Sequence, residues 1–371
     1  HYRTVFRGFS ASLSDAQASG LRRDPQVSAV VADRPLSLVP NLIGKPVGAP
    51  SQARPQGKDS VPPGIDRIDG ESIIRNFGNV GVAVVDTGID FTHPALNVKP
   101  PSFSAFGTSA NDANGHGTHV AGVIAGRIGS GIGVRGVAPG APLYAVQVLD
   151  ANGNGSWSTV LAGLDWVAAN AGALKIRVVN LSLGGFDFPS EDCGAVGEWV
   201  WDPFHYAICT LGQLGVTVVA AAGNSDPVLG NEAWMFLPGG YPEVIAVSAI
   251  ADYDGRGGGA GSPTCADFGP DDTLAGFSTR GATVALAAPG VCVLSTWPNG
   301  GYQQLSGTSA AAPHVAGAAA VYLASHPGAS PAAVRSALVS SGRLSGNCAV
   351  RGDDPYRPPL VYLGQSDSDC R

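Results

Sequence analysis

Val82-Ala83-Val84-Val85-Asp86-Thr87-Gly88 (82–88) is an unbroken apolar run that stops on a carboxylate and a Thr-Gly pair. A short run that is apolar at every position, not at every second one, fits a strand buried on both faces. Comparable runs recur at Leu143–Leu149, Val178–Leu183, Val216–Ala222 and Val244–Val247. Helical stretches lie near Gly117–Gly126, Thr159–Ala169, Trp199–Leu214, Ser309–Ser325 and Pro331–Ser340. Strands alternating with helices predict an α/β domain, three-layer α/β/α with a largely parallel central sheet. Sites in such sheets gather at the carboxyl ends of strands, and Asp86 ends one.

Composition narrows the class. The 371 residues are 44% hydrophobic and 14% charged, enough for one large core with a small extra domain. No apolar run approaches the roughly 20 residues of a membrane span. Residues 1–58 carry eight Arg/Lys against three Asp, whereas the rest carries 14 basic and 26 acidic side chains. An acidic body argues against nucleic acid or an anionic membrane as partner, and the opposite signs predict that the two parts attract. The six cysteines show no C-x-x-C spacing, which disfavours zinc and favours structural disulfides in an oxidising compartment. Six cysteines allow 15 connectivities. Sequential pairing (Cys193–Cys209, Cys265–Cys292, Cys348–Cys370) closes local loops and is the working guess.

Two further segments carry chemistry. Asn114-Gly115-His116-Gly117-Thr118-His119 opens a helix, and Gly307-Thr308-Ser309-Ala310-Ala311-Ala312-Pro313 leads into an alanine-rich one. A serine hydroxyl becomes a useful nucleophile when a base takes its proton, and the base needs a carboxylate to hold its tautomer. Taken alone, each residue has a plainer explanation: Asp86 as a turn residue, Ser309 as a helix cap, His116 and His119 as a metal pair. No third ligand cluster accompanies the two histidines, however. The order Asp, His, Ser differs from the chymotrypsin and α/β-hydrolase orders, and Gly307–Ala311 lacks the second glycine of G-x-S-x-G. Gly131–Gly136 formally matches G-x-G-x-x-G, but it follows a helix and precedes a strand, so it predicts a loop and not a nicotinamide site.

With these blocks in this order, the chain resembles the subtilisin-like serine proteases. The resemblance implies Ser309 as nucleophile, His116 as base, Asp86 as its orienting carboxylate, and His119 as a buried structural histidine. Asn224, in Ala221-Ala222-Gly223-Asn224, matches the oxyanion-hole asparagine. Gly153-Asn154-Gly155 and Ser182-Leu183-Gly184 match the two edge segments that flank a substrate backbone, which would bind as an added strand. The implied activity is that of a secreted endopeptidase acting on protein or peptide substrates, monomeric, with no cofactor or metal required for the chemistry. A silent binding protein on the same fold is the rival, separable by labelling with a serine-directed inhibitor.

The N-terminus reads differently. Tyr2–Phe9 alternates like a strand, Ser14-Asp15-Ala16-Gln17 has capping-box spacing for a helix to about Leu21, and Val27–Val31 is β-branched. Residues 1–36 resemble the C-terminal part of an inhibitor prodomain, a small α+β remnant that would inhibit the enzyme. Residues 37–60 form a Pro/Gly/Ser/Gln-rich linker with the expected self-processing site, between about Val39 and Lys58, and 61–371 the peptidase domain.

Three departures from the family pattern carry expectations. Ala310 stands where bacterial subtilisins usually have an oxidisable Met, which predicts tolerance to peroxide. Ala95 stands where a calcium-binding Asp is usual, so structural calcium is not expected at that position and stays open elsewhere in the chain. Aligning Pro238 and Pro242 puts Phe236 at the floor of the primary pocket, where Gly is common, which predicts a shallow pocket for small or medium side chains.

Overall fold

The computed structural model describes residues 1–38, 59–73, 75–129, 133–190, 192–193, 202–225 and 232–364. The first half runs through α1 (Asp15–Leu21), β1 (Pro35–Ser37), α2 (Pro63–Arg67), β2 (Gly81–Asp86), β3 (Phe103–Ser104), α3 (His116–Ala125) and β4 (Leu143–Gln147). β5 (Asn154–Ser156), α4 (Trp157–Leu174), β6 (Ile176–Leu181), β7 (Gly185–Phe186), α5 (Pro203–Gln213) and β8 (Thr217–Ala221) follow. The last are β9 (Phe236–Leu237), β10 (Ile245–Ile250), β11 (Val284–Pro289), β12 (Val293–Trp297), β13 (Gly301–Leu305), α6 (Thr308–Ser325) and α7 (Pro331–Ser341).

Seven strands form one sheet in the order β11-β10-β8-β6-β2-β4-β3, with every neighbouring pair parallel. Alternate residues of each strand feed opposite faces, so an all-apolar strand needs a cover on both sides. Val82 and Val84 join one core with Val120 and Ile124 of α3, Val315 and Leu323 of α6, and Val334 and Leu338 of α7. Ala83 and Val85 join the other, with Val160 and Leu164 of α4 and Phe204 and Leu211 of α5. The three-layer expectation is therefore met. β3 and β11 are additions that the sequence did not announce.

Local chemistry explains the helix starts. Asp202 caps α5, its carboxylate accepting from Phe204 and His205 N–H, with Pro203 at the first helical position. That helix begins later than the Trp199 boundary expected from the sequence; Trp199 to Trp201 lie outside the described residues. Ser14 and Gln17 form the anticipated capping box on α1. Cys193–Cys209 and Cys265–Cys292 are bonded as guessed; Cys370, the guessed partner of Cys348, lies outside the described residues.

The N-terminal segment departs from the expected strand–helix–strand. Tyr2–Phe9 holds a single antiparallel bridge, Tyr2 to Gly8, and Val27–Val31 forms no strand. The backbone N–H groups of Arg3, Thr4 and Val5 bond instead to the Asp165 carboxylate on α4 at 2.6–3.2 Å. A side chain thus takes the donors that a strand ladder would have used. The segment's strand is β1, which pairs antiparallel with β5.

Candidate active site

β2 delivers Asp86, fully buried, to the carboxyl edge of the sheet. α3 begins at His116, whose ring Nδ1 lies 2.9 and 3.0 Å from the two Asp86 carboxylate oxygens. Two glycines permit this approach. Gly115 caps α3 at φ 114°, and a Cβ there would stand 2.3 Å from the Trp297 ring. At Gly117 a Cβ would stand 2.1 Å from the Gly88 carbonyl oxygen. Burial pulls the His116 pKa down, but the Asp86 charge and hydrogen bond outweigh it, and the net shift is upward.

α6 presents Ser309 in its first turn. A Cβ built on the preceding Gly307 would lie 3.0 Å from Ser309 Oγ and 3.5 Å from Asn224 Nδ2, so both atoms face one small space. Asn224 follows β8, and its Oδ1 accepts from Thr308 N–H and Oγ1, both at 3.0 Å. That pair of bonds fixes the amide with its N–H₂ toward the serine. Val123 of α3, Val293 and Ala310 pack together and hold the two helices in register. No hydrogen bond joins Ser309 Oγ to the His116 ring; such bonds commonly tighten only when substrate binds.

Both anticipated edge segments are occupied by the chain's own residues. In the β1–β5 pair Leu36 faces Gly155 and Ser37 faces Asn154, and Leu38 N–H donates to Gly153 O at 2.8 Å. On the other side Ser37 bridges antiparallel to Gly184. Ser182 Oγ donates to Ser309 O at 2.7 Å, tying this edge to the start of α6, and Leu183 is buried in the core below. The segment therefore lies as a middle strand between two edges, with Leu36 only 3% exposed.

The pattern of the subtilase family matches residues 78–353, more than half of the chain. The chain belongs to the subtilase family. Residues 1–39 match the peptidase inhibitor I9 family. Subtilisin E of Bacillus subtilis (strain 168) is 35% identical over 348 residues, covering 92% of this chain and 77% of its own. The subtilisin of Bacillus pumilus is 38% identical over 298 residues, 79% of this chain and 95% of its own. Alkaline serine exoprotease A of Vibrio alginolyticus is 34% identical over 374 residues, 98% of this chain and 59% of its own. This subtilase is thus a serine endopeptidase carrying an inhibitor prodomain, and the strand in its cleft belongs to the inhibitor segment.

Phe236 is 1% exposed and stacks edge-on against Phe186 at 5.2 Å. Its ring fills the space that side chains on Gly184 and Gly223 would take, at 2.5 Å from a Cβ on either. The subtilase's remaining histidines have other work. His119 Nε2 meets Val293 O at 2.8 Å, and burial pushes its pKa down to about 3, so the ring is neutral. Asp90 is bonded to Thr92 and Asn299 and does not reach His116.

Sequence reasoning missed the supports. Asp112 Oδ1 accepts from Thr87 Oγ1 and the Asn114 and Gly115 N–H groups, and its Oδ2 accepts from Thr118 N–H and Oγ1. Thr87 Oγ1 in turn accepts from Gly117 N–H at 2.9 Å. One carboxylate thereby locks the turn after β2 to the start of α3, fixing Asp86 against His116. The only sequence signal was an acidic residue four positions ahead of His116.

Proposed function

We propose that this subtilase cleaves peptide bonds through an acyl-enzyme in which Ser309 attacks, His116 takes and returns the proton, and Asp86 orients the ring and stabilises its charged form. Asn224 Nδ2 and the Ser309 N–H, at the start of α6, hold the oxyanion. The observation that supports this best is the pairing of a buried carboxylate on His116 Nδ1 with a serine and an amide N–H₂ converging at Gly307. Substrate main chain adds between Gly153-Asn154-Gly155 and Ser182-Leu183-Gly184, the places taken here by residues 36–38. Phe236 makes the primary pocket shallow.

Maturation is by self-cleavage in the 37–60 linker, of which residues 39–58 lie outside the described ones. The released segment remains an inhibitor until displaced. We assign the working form to a monomer outside the cell; among the described residues no helix is long and apolar enough to cross a membrane. No calcium is assigned to Ala95: Arg127 donates to the flanking Pro94 and Leu96 carbonyls, which supplies positive charge there.

Mass spectrometry of the wild type and Ser309→Ala, before and after a fluorophosphonate, tests the proposal. Loss of the N-terminal segment and a single adduct, both in the wild type only, is the expected result. A folded wild type that stays intact and unlabelled would overturn it.

A further inference from the structure

Between His116 and Ser309 in the chain, the loop after β10 reads Asp252-Tyr253-Asp254-Gly255-Arg256-Gly257-Gly258-Gly259 and returns at Asp271-Asp272. Carboxylate oxygens of Asp252, Asp254 and Asp271 all lie within 4.8 Å of one another. Asp252 is 4% exposed and Asp271 also 4%, while Asp254 faces solvent. Asp252 Oδ1 accepts from Gly255 N–H at 3.0 Å, but its Oδ2 is buried with no hydrogen-bond partner. A buried carboxylate oxygen left bare in a cluster of like charge is costly unless something positive meets it.

The donors nearby are committed elsewhere. Arg67, buried beside the loop, bonds Asp272 Oδ1 at 2.8 Å and the Cys348 carbonyl at 3.2 Å. Gly258 and Gly259 N–H both turn onto Asp272 Oδ2 at 2.8 Å. Asp271 receives Tyr253 N–H and Gly261 N–H, one on each oxygen. Asp272 is thus saturated, Asp271 keeps lone pairs, and Asp252 keeps a whole oxygen. Burial, with Asp271 and Asp272 adding to it against Arg67, pushes the Asp252 carboxyl up to about 8.

We propose that Asp252, Asp254 and Asp271 bind one calcium ion that clamps the two ends of this loop together. All the donors are oxygens, which selects a hard cation over zinc or copper. The loop gives irregular carboxylate geometry with an open side at Asp254. Calcium tolerates this, taking about 6–8 oxygens with the balance from water or main-chain carbonyls, whereas magnesium demands a near-ideal octahedron. Asp254 also gives the ion its path in from solvent.

The test uses the full chain as Ser309→Ala, so that no self-digestion intrudes. After chelation, calcium titrations by calorimetry and thermal melts are compared for this parent, Asp254→Asn and Asp252→Asn. The parent should bind calcium and melt higher with it. Asp254→Asn should lose one calcium equivalent, or bind it at least tenfold more weakly, with a smaller melting shift; magnesium should not substitute. Asp254 is exposed, so that variant reads the site even if Asp252→Asn fails to fold. Equal stoichiometry and equal melting shift in parent and Asp254→Asn would overturn the proposal, as would a parent that binds no calcium. In the latter case the Asp252 oxygen carries a proton.

Discussion

Asp33 of the inhibitor segment caps a helix of the enzyme body at Ser158, its two carboxylate oxygens accepting from the Ser158 N–H at 2.9 Å and from Oγ at 2.6 Å. The contact lies in the first turn of α4, where a negative charge meets the positive helix end. Three residues later Leu36 is buried against Gly155 and close to Gly185. Asp33 therefore sets the register in which the strand enters the cleft.

In the Ser309→Ala chain, Leu36→Ala should loosen this segment more than Asp33→Ala. Truncating a buried leucine costs about 2–5 kcal/mol, against about 0.5–2 for a lost cap. Hydrogen exchange at the Leu38 and Ser158 amides reads the difference; equal protection in both variants and the parent would refute it.

The raised pKa of His116 has a definite sign in activity. In the proposed mechanism His116 must be neutral to take the serine proton, so the acid limb of kcat/KM should fall above 6.5, the ordinary imidazole value. Asp86→Asn should move that limb downward and cut kcat by about 10⁴, the loss seen for the same change in a chymotrypsin-type triad. The same shift stabilises the fold fully below 6.5, and that contribution fades as pH rises through the folded value. A pH–rate profile of both proteins checks the limb.

Phe236→Gly should deepen the primary pocket. Cleavage of a peptide library by the wild type is expected after small and medium residues. The variant should gain Phe and Tyr at that position, by at least tenfold relative to Ala. A wild-type profile led by Arg, Lys or Trp contradicts the assignment of Phe236.

Arg67 and Asp272 form an ion pair whose side chains are 1% and 0% exposed. Arg67→Ala leaves buried Asp272 without its cationic partner, which should cost about 3–5 kcal/mol. Denaturant unfolding of the Ser309→Ala background, with calcium held constant, measures it. A loss under 1 kcal/mol would show that Asp272 takes up a proton or water instead.

Dilute peroxide should leave activity nearly intact. The residue after Ser309 is Ala310, buried in a small apolar cluster, and Met235 is the single methionine of the chain. Time courses of inactivation against Met235→Leu decide whether that one sulfur matters.

The sheet was legible because strands buried on both faces leave a local signature, and Asp86, His116 and Ser309 each stand in a short glycine-flanked block. β11 was not, since Val-Ala-Leu-Ala-Ala-Pro is alanine-rich and ends on a proline that argues against a strand. Tyr2–Phe9 misled in the other direction: its alternation is real, but Asp165, far away in sequence, captures the backbone donors. Asp112 and Thr308 were invisible for the same reason. Their roles are hydrogen bonds between segments, and spacing along a chain does not encode them.

The strand in the cleft also fixes how latency depends on dilution. While residues 1–38 remain joined to the body, the strand meets its cleft at an effective concentration that does not depend on the amount of enzyme present. After the link is cut, occupancy follows ordinary mass action. Under the proposed self-cleavage, a dense population of cut molecules should stay quiet, and the same molecules should become active as they disperse.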